Sequence, residues 1–345
     1  MGTIAEKLEY LNGTKTAIKG ALQNRGVTVS DADTFRSYAD KVGQVGETVE
    51  KTKFGASVDT WIGDVDEDGV LNRTRWRGAL NFVGVKTIGE NGLFYAFYNC
   101  TGITSVNLSS LQSVSTDGLN YAFYNCTGIT SLDLSSLQSV GDSGLSNAFQ
   151  NCTGITSVDL SSLQSIGNSG LYYAFYDCTD ITSVDLSSVT TLGTRGLYYA
   201  FYNCRFITSL DLSSLQSVGE GGLSYAFYNC RGITSLDLGS LQSVGDSGLR
   251  YAFQGCTGIT SVDLSSLQSV GLYGLSSAFH GCTKLTTISF PSLTSVESNS
   301  FSTTFGNCTA LTEIHFRADM QATIEAMSGY SSKFGATSST IYFDL

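Results

Sequence analysis

From Cys126 the chain reads CTGITSLDLSSLQSVGDSGLSNAFQN, with apolar residues at Ile129, Leu132, Leu134, Leu137, Val140, Leu145, Ala148 and Phe149. Leu132 and Leu134 fall on one side of an extended chain and Ser131 and Asp133 on the other, the period-two alternation of a strand with one buried face. A short strand is predicted there. Gly141-Asp142-Ser143-Gly144 has the composition of a turn. Beyond it Leu145, Ala148 and Phe149 are spaced i, i+3, i+4, as on one helical turn, which predicts a second flank of short α- or 3₁₀-helix.

This pattern repeats. Cys100, Cys126, Cys152, Cys178, Cys204, Cys230, Cys256, Cys282 and Cys308 are each 26 residues apart. A fixed period of this size marks a solenoid, in which each unit buries its apolar face only by stacking on its neighbours and the strands run parallel. That reading displaces the two-domain division that 345 residues alone would suggest. Arg77, Leu80, Phe82 and Phe97 stand one period before Ile103, Val106, Leu108 and Phe123, and form a leading repeat whose first apolar position is missing. Leu311, Ile314 and Phe316 are the last residues in phase. Met320 to Met327 then reads as an amphipathic helix closed by Gly329, and Thr340 to Phe343 as a final strand, together a C-terminal cap over residues 317–345.

Ahead of the solenoid of residues 77–316, Ile4, Leu8, Leu11, Ile18 and Leu22 share one helical face, and Ser30 can cap a second helix carrying Phe35, Tyr38, Ala39 and Val42. Two such helices bury too little surface to stand alone. They are read as an attachment or oligomerisation module (residues 1–43) that packs on copies of itself or on a partner. A helical cap on the solenoid is the alternative; the polar stretch from Gly43 to Gly55 favours a separate unit. Residues 44–76 are assigned to a linker and N-terminal cap.

Composition narrows the function. A hydrophobic share of 41% with 14% charged residues is enough to build a core. Nineteen basic against thirty acidic side chains leave a charge of −11, which argues against nucleic acid as a partner. No apolar run is long enough for membrane insertion, and the start MGTIAEK has no signal core, so synthesis in the cytoplasm without a Sec signal is expected. His280 and His315 are the only histidines, and no nucleophile elbow, phosphate loop or spaced carboxylate pair occurs, so neither enzyme activity nor a cofactor is expected.

Four sets of residues are candidates for chemistry. The cysteines fall one above another about 4.8 Å apart, too far for the Cβ approach of a disulfide, and are read as a buried, reduced ladder without metal. Asp64, Asp66 and Asp68 begin a weak calcium-loop match, but Arg75 stands where the closing bidentate acid is needed. Asp133, Asp159, Asp185, Asp211, Asp237 and Asp263 form an outward acidic ladder, either solvated and bonded to nearby serines or open to cations. The sharpest hint is aromatic: Tyr121, Tyr173, Tyr199, Tyr225 and Tyr251 share one position, Tyr98, Tyr124, Tyr176, Tyr202 and Tyr228 another, and Tyr172 and Tyr198 widen the ridge. Tyrosine among Ser, Asn and Gly is the chemistry of a paratope, and it also suits stacking on sugar rings or on one another. Arg195, Arg205, Phe206, Arg231, Arg250 and Tyr273 replace turn or small residues and diversify an exposed surface.

The string C-x-x-I-x-x-V-x-L-x-x-L-x-x-V-G…L-x-x-A-F-x-N is similar to the leucine-rich repeats of the BspA-like type, with a unit a few residues longer than usual. The match covers residues 77 to 316 and implies an α/β-repeat, leucine-rich-repeat solenoid. The segments KLEYLNGTKTAIKGAL and TFRSYADKV resemble the leader of tail-associated structural proteins of phages and prophages of gut bacteria, and IHFRADMQATIEAMSGYSSKFGATSSTIYFDL resembles caps on such repeat proteins. These resemblances imply a virion tail protein whose solenoid binds a host cell-surface glycan or protein, joined through residues 1–43 to other tail proteins or to itself. A bacterial cell-surface adhesion or interaction protein is the alternative.

Overall fold

The computed structural model describes residues 77–82 and 84–345. The expected attachment module, the linker and the Asp64, Asp66, Asp68 loop lie outside the described residues. Within them the 26-residue period becomes a parallel stack with three flanks per turn.

The first flank is a ladder of short strands. It opens with Arg77–Asn81 and Gly102–Asn107, runs through three-residue strands such as Ser183–Asp185 and Ser209–Asp211, and ends with Thr287–Phe290, Glu313–Phe316 and Thr340–Phe343. The second is a ladder of two-residue strands from Thr87–Ile88 to Ser295–Val296. Pairing is parallel and in step with the sequence: Ser183 faces Ser209, Val184 faces Leu210, and Asp185 faces Asp211. Only the ends depart from this register. A shift lies between Gly78 and Ala79, and Thr340 pairs with Glu313.

Because register is kept, like stacks on like. Phe97, Phe123, Phe149, Phe175, Phe201 and Phe227 form a face-to-face column with centroids 5.0 to 5.4 Å apart. Around it the Leu, Ile and Val positions of successive repeats are buried. This is the quasi-one-dimensional core expected of a solenoid, continuous along the axis and one repeat deep.

The third flank corrects the sequence reading, since it is not helical. From Leu197 to Cys204 the backbone N–H groups alternate: Leu197, Tyr199, Phe201 and Asn203 donate to Gly222, Ser224, Ala226 and Tyr228 of the next repeat. Tyr198, Ala200, Tyr202 and Cys204 donate three residues back within their own repeat. Every fourth residue has a left-handed backbone, here Arg195, Tyr199 and Asn203 at φ 53°, 57° and 63°. The physical reason is width. Packed helices need about 8–10 Å between axes, whereas strand-paired repeats are spaced about 4.8 Å apart. Consecutive turns still deliver Leu, Ala and Phe inward at the spacing that suggested a helix.

At the C-terminus, a 3₁₀ turn at Ala318–Met320 leads into one short α-helix, Gln321–Glu325, which ends before the expected limit at Met327. Gly329 takes φ 93° and reverses the chain. The cap places Phe334, fully buried, 5.4 Å from Phe301, and the Phe334 carbonyl accepts the Phe305 N–H that would otherwise face a following repeat. The open end is thereby covered in both apolar and polar terms.

Candidate functional site

The turn flank carries the tyrosines in rows along the solenoid axis. In the first, Tyr173, Tyr199, Tyr225 and Tyr251 stack with centroids 4.6, 4.3 and 4.5 Å apart, and Tyr95 stacks on Tyr121 at 4.6 Å. In the second, Tyr98 stacks on Tyr124 at 4.7 Å, and Tyr176, Tyr202 and Tyr228 follow one another at 4.8 and 4.7 Å. Tyr172 and Tyr198 form a short third row at 5.4 Å. All are half-buried. The stacking revises one expectation: within a row the ring faces already cover each other, so a ligand meets ring edges and hydroxyls rather than faces. Burial, followed by the neighbouring phenols, pushes the Tyr173 and Tyr199 hydroxyls up; at neutral pH they remain protonated and able to donate.

Backbone geometry adds weight to the first row. Its six tyrosines, Tyr95, Tyr121, Tyr173, Tyr199, Tyr225 and Tyr251, have φ between 54° and 58°, a region that a bulky residue enters at a cost of about 1–2 kcal/mol. Four residues further on, the same left-handed conformation is filled by Asn99, Asn125, Asn151, Asp177, Asn203, Asn229, Gly255, Gly281 and Asn307, the residue types that tolerate it best. Tyrosine is therefore not there to suit the backbone. Stacking returns about 0.5–1.5 kcal/mol per pair, enough to offset the strain but leaving little net stability.

The rows are interrupted once, where Ser146, Asn147 and Gln150 take the three aromatic positions and Asn147 is covered by its surroundings. At such margins lie the buried polar side-chain atoms that have no hydrogen-bond partner among the described residues: Asn120 Oδ1 beside the interruption, and Arg250 Nε and Gln254 Oε1 at the far end of the longer block. Arg250 holds its guanidinium 5.0 Å from the Tyr251 ring and 5.6 Å from that of Tyr273, itself partly exposed. Arg195, Arg205, Phe206 and Arg231 stand exposed along the same flank. Sequence reasoning missed Gln254 and Asn120: Gln254 follows Tyr228 at the end of the second tyrosine column, whereas the column of Asn120 also holds Ser146 and Ser224 and marks no break there.

The acidic ladder is placed differently. Asp133, Asp159, Asp185, Asp211, Asp237 and Asp263 sit on the first strand flank, and each accepts the backbone N–H two residues on, at 2.8 to 3.1 Å. Asp133 and Asp211 also accept the hydroxyls of Ser135 and Ser213. These are Asx turns that bend the chain out of the strand. The cysteines lie on the core side. From Cys126 to Cys308 each is reduced and buried, and its Sγ donates to the phenylalanine carbonyl 29 residues earlier, as Cys178 does to Phe149 at 3.0 Å. Burial pushes these thiols up, Cys308 to about 11. Among the described residues no three His, Cys, Asp or Glu side chains converge as a metal site.

The family model of the BspA type leucine rich repeat region, six repeat copies long, matches residues 83–196, 146–247 and 197–333. The chain belongs to that family. No curated protein matches the sequence. Among solved structures, this leucine-rich-repeat chain is similar to a leucine-rich repeat protein of Bacteroides ovatus, at 17% identity over 80% of this chain and 86% of the other with a TM-score of 0.26. Two internalins of Listeria monocytogenes also match: inlF at 15% identity (96% and 87% covered, TM-score 0.27) and internalin C2 at 14% (88% and 92% covered, TM-score 0.29). In this leucine-rich-repeat solenoid, then, strand flanks and core follow a fixed pattern while the turn flank carries the irregular residues.

Proposed function

We propose that this leucine-rich-repeat protein is a binding protein whose tyrosine-lined turn flank attaches to a host cell-surface glycan or protein. The observation that carries the reading is the row of tyrosines held at positive φ, where asparagine or glycine would cost less. Their half-exposed edges and hydroxyls present wide amphipathic contact area with few rotors to immobilise. The resemblance of residues 1–43 to tail-protein leaders supports a place for this protein on a phage or prophage tail; that segment would join the solenoid to other tail proteins or to a second copy. Membership of the BspA type family supports the alternative, adhesion at a bacterial cell surface, through the same flank.

The test is a triple substitution, Tyr173→Asn, Tyr199→Asn and Tyr202→Asn, with asparagine chosen because it tolerates the backbone at positions 173 and 199. Cell binding should be lost while circular dichroism and the unfolding midpoint report a folded solenoid. Asp159→Asn, Asp185→Asn and Asp211→Asn together should leave binding in place, because asparagine can also accept in an Asx turn. A folded tyrosine variant that binds normally, with binding lost in the aspartate variant, would move the site to the strand flank.

A further inference from the structure

The chain carries a charge of −11, yet between residues 87 and 283 its only Lys or Arg side chains are Arg195, Arg205, Arg231 and Arg250. All four fall in one stretch, beside the longer tyrosine block. Ion pairs among the described residues lie at His315 and Arg317, and none involves these arginines. The acids nearest in sequence are otherwise placed: Asp177 accepts from Asn203, and Asp246 accepts the Leu272 N–H. Asp185, Asp211 and Asp237 are on the strand flank, and exposed Glu220 stands in a turn within the block, where its carbonyl accepts the Arg195 N–H but its carboxylate forms no ion pair with Arg195.

Arg250 is the most organised of the four. Two aromatic contacts hold it, with Tyr251 and Tyr273, and its Nε is buried without an acceptor. A guanidinium stacked in this way keeps a planar fork that matches a carboxylate or sulfate. Ser224 occupies the third row between Tyr198 and Arg250, so no ring of that row separates them. Arg195 reaches the same place from the other side, 5.9 Å from the Tyr198 ring. Burial raises the Tyr198 and Tyr225 hydroxyls, and the Arg250 charge works against that rise at both, which puts the guanidinium within electrostatic reach of two donors.

We propose that Arg250, with Arg195 and the hydroxyls of Tyr198 and Tyr225, forms a subsite for an acidic glycan, a sugar polymer bearing carboxylate or sulfate groups. The inference rests on the tyrosine flank being the binding face and names its ligand class. A polymer of regular units fits this comb better than an irregular protein surface does, because within the longer rows the hydroxyl-bearing rings recur every 4.3 to 4.8 Å. The guanidinium fork takes the anionic group while tyrosine hydroxyls bond to those of the sugar.

The experiment immobilises the full chain and measures binding of polygalacturonate, dextran sulfate, neutral dextran and polyglutamate by interferometry. Polygalacturonate or dextran sulfate should bind at least tenfold more tightly than dextran and polyglutamate, and which of the two does so decides between carboxylate and sulfate. Arg250→Gln should weaken that binding tenfold or more, Arg250→Lys should recover part of it, and exposed Arg195→Gln should weaken it severalfold; Lys284→Gln, an equal charge change elsewhere, should not. Equal binding of dextran would overturn the role of charge, and equal binding of polyglutamate the role of sugar, while both leave the tyrosine flank as the binding face. Absence of binding to all four by a chain that still binds cells through its tyrosines overturns the glycan assignment alone. Cell binding unaffected by the triple tyrosine substitution is the separate result that defeats the underlying reading.

Discussion

Tyr121 and Tyr124 form a matched pair for testing whether tyrosine in the first row is strained. Both belong to one repeat, both are half-buried, and each stacks on a single tyrosine of the preceding repeat, at 4.6 and 4.7 Å. They differ in backbone: Tyr121 has φ 54°, and Tyr124 is not in the left-handed region. Replacing either by asparagine removes one stacked contact, about 0.5–1.5 kcal/mol, together with the tilted contact the two rings share at 5.7 Å; Tyr121 also loses a tilted contact with Tyr98 at 6.5 Å. At 121 the substitution also relieves about 1–2 kcal/mol of left-handed strain, and Asn147, one repeat on, already occupies the equivalent site at φ 55°. Tyr124→Asn should therefore destabilise by about 1 kcal/mol, and Tyr121→Asn should be neutral or slightly stabilising. Urea unfolding of the full chain followed by circular dichroism reads the difference, and use of one repeat keeps the affected cooperative unit the same. A midpoint that falls as far for Tyr121→Asn as for Tyr124→Asn, at unchanged slope, would refute the argument that strain and stacking offset each other.

Three further outcomes are expected. Phe201→Ala should cost about 3–5 kcal/mol, because it opens a cavity between Phe175 and Phe227 that a one-repeat-deep core cannot close; differential unfolding of variant and parent checks it. Cysteines 126 to 308 should resist a thiol reagent in the native protein and react fully in denaturant, and fast native labelling of several would contradict their burial. Stability should fall at alkaline pH: tyrosines such as Tyr173 and Tyr199 have folded pKa values raised above 10, so the folded state holds more protons there, and their contribution is complete below pH 10 and lost as pH rises through the folded values. A phenolate absorbance titration in step with unfolding would show this; free titration of the row near pH 10 without unfolding would exclude it.

What the sequence made legible depended on how local its cause was. The strand at Ser131–Asp133 follows from side-chain alternation and the stack from the cysteine interval, both readable from single residues. The flank was misread because Leu145, Ala148 and Phe149 point inward at i, i+3, i+4 in a chain of turns just as in a helix. Two facts separate the cases. A helix cannot be repeated at strand spacing, and the column Asn99, Asn125, Asn151, Asp177, Asn203 places residues that favour positive φ immediately before each cysteine. The Asx role of Asp133 was readable from the serine two residues on. The orphaned atoms of Asn120, Arg250 and Gln254 were not, because they arise between repeats.

That same geometry explains why this flank can carry specificity. Its backbone bonds do not consult the side chains: Tyr173 donates to Tyr198, Asn147 to Tyr172 and Ser277 to Ser302 at 2.9, 2.7 and 2.9 Å, whichever residue stands at the site. The inward Leu, Ala and Phe fill the core, and the backbone satisfies itself against the next repeat, so the outward positions are free of both duties. On the strand flank the outward aspartates are tied to turns, and change there would loosen the chain where it leaves each strand. Substitution can therefore accumulate on the turn flank at the cost of a stacking contact, whereas elsewhere it costs a turn or a core contact. A binding surface that differs from repeat to repeat is the consequence, and Arg250, set among tyrosines, serine and glutamine, is where that freedom has gone furthest.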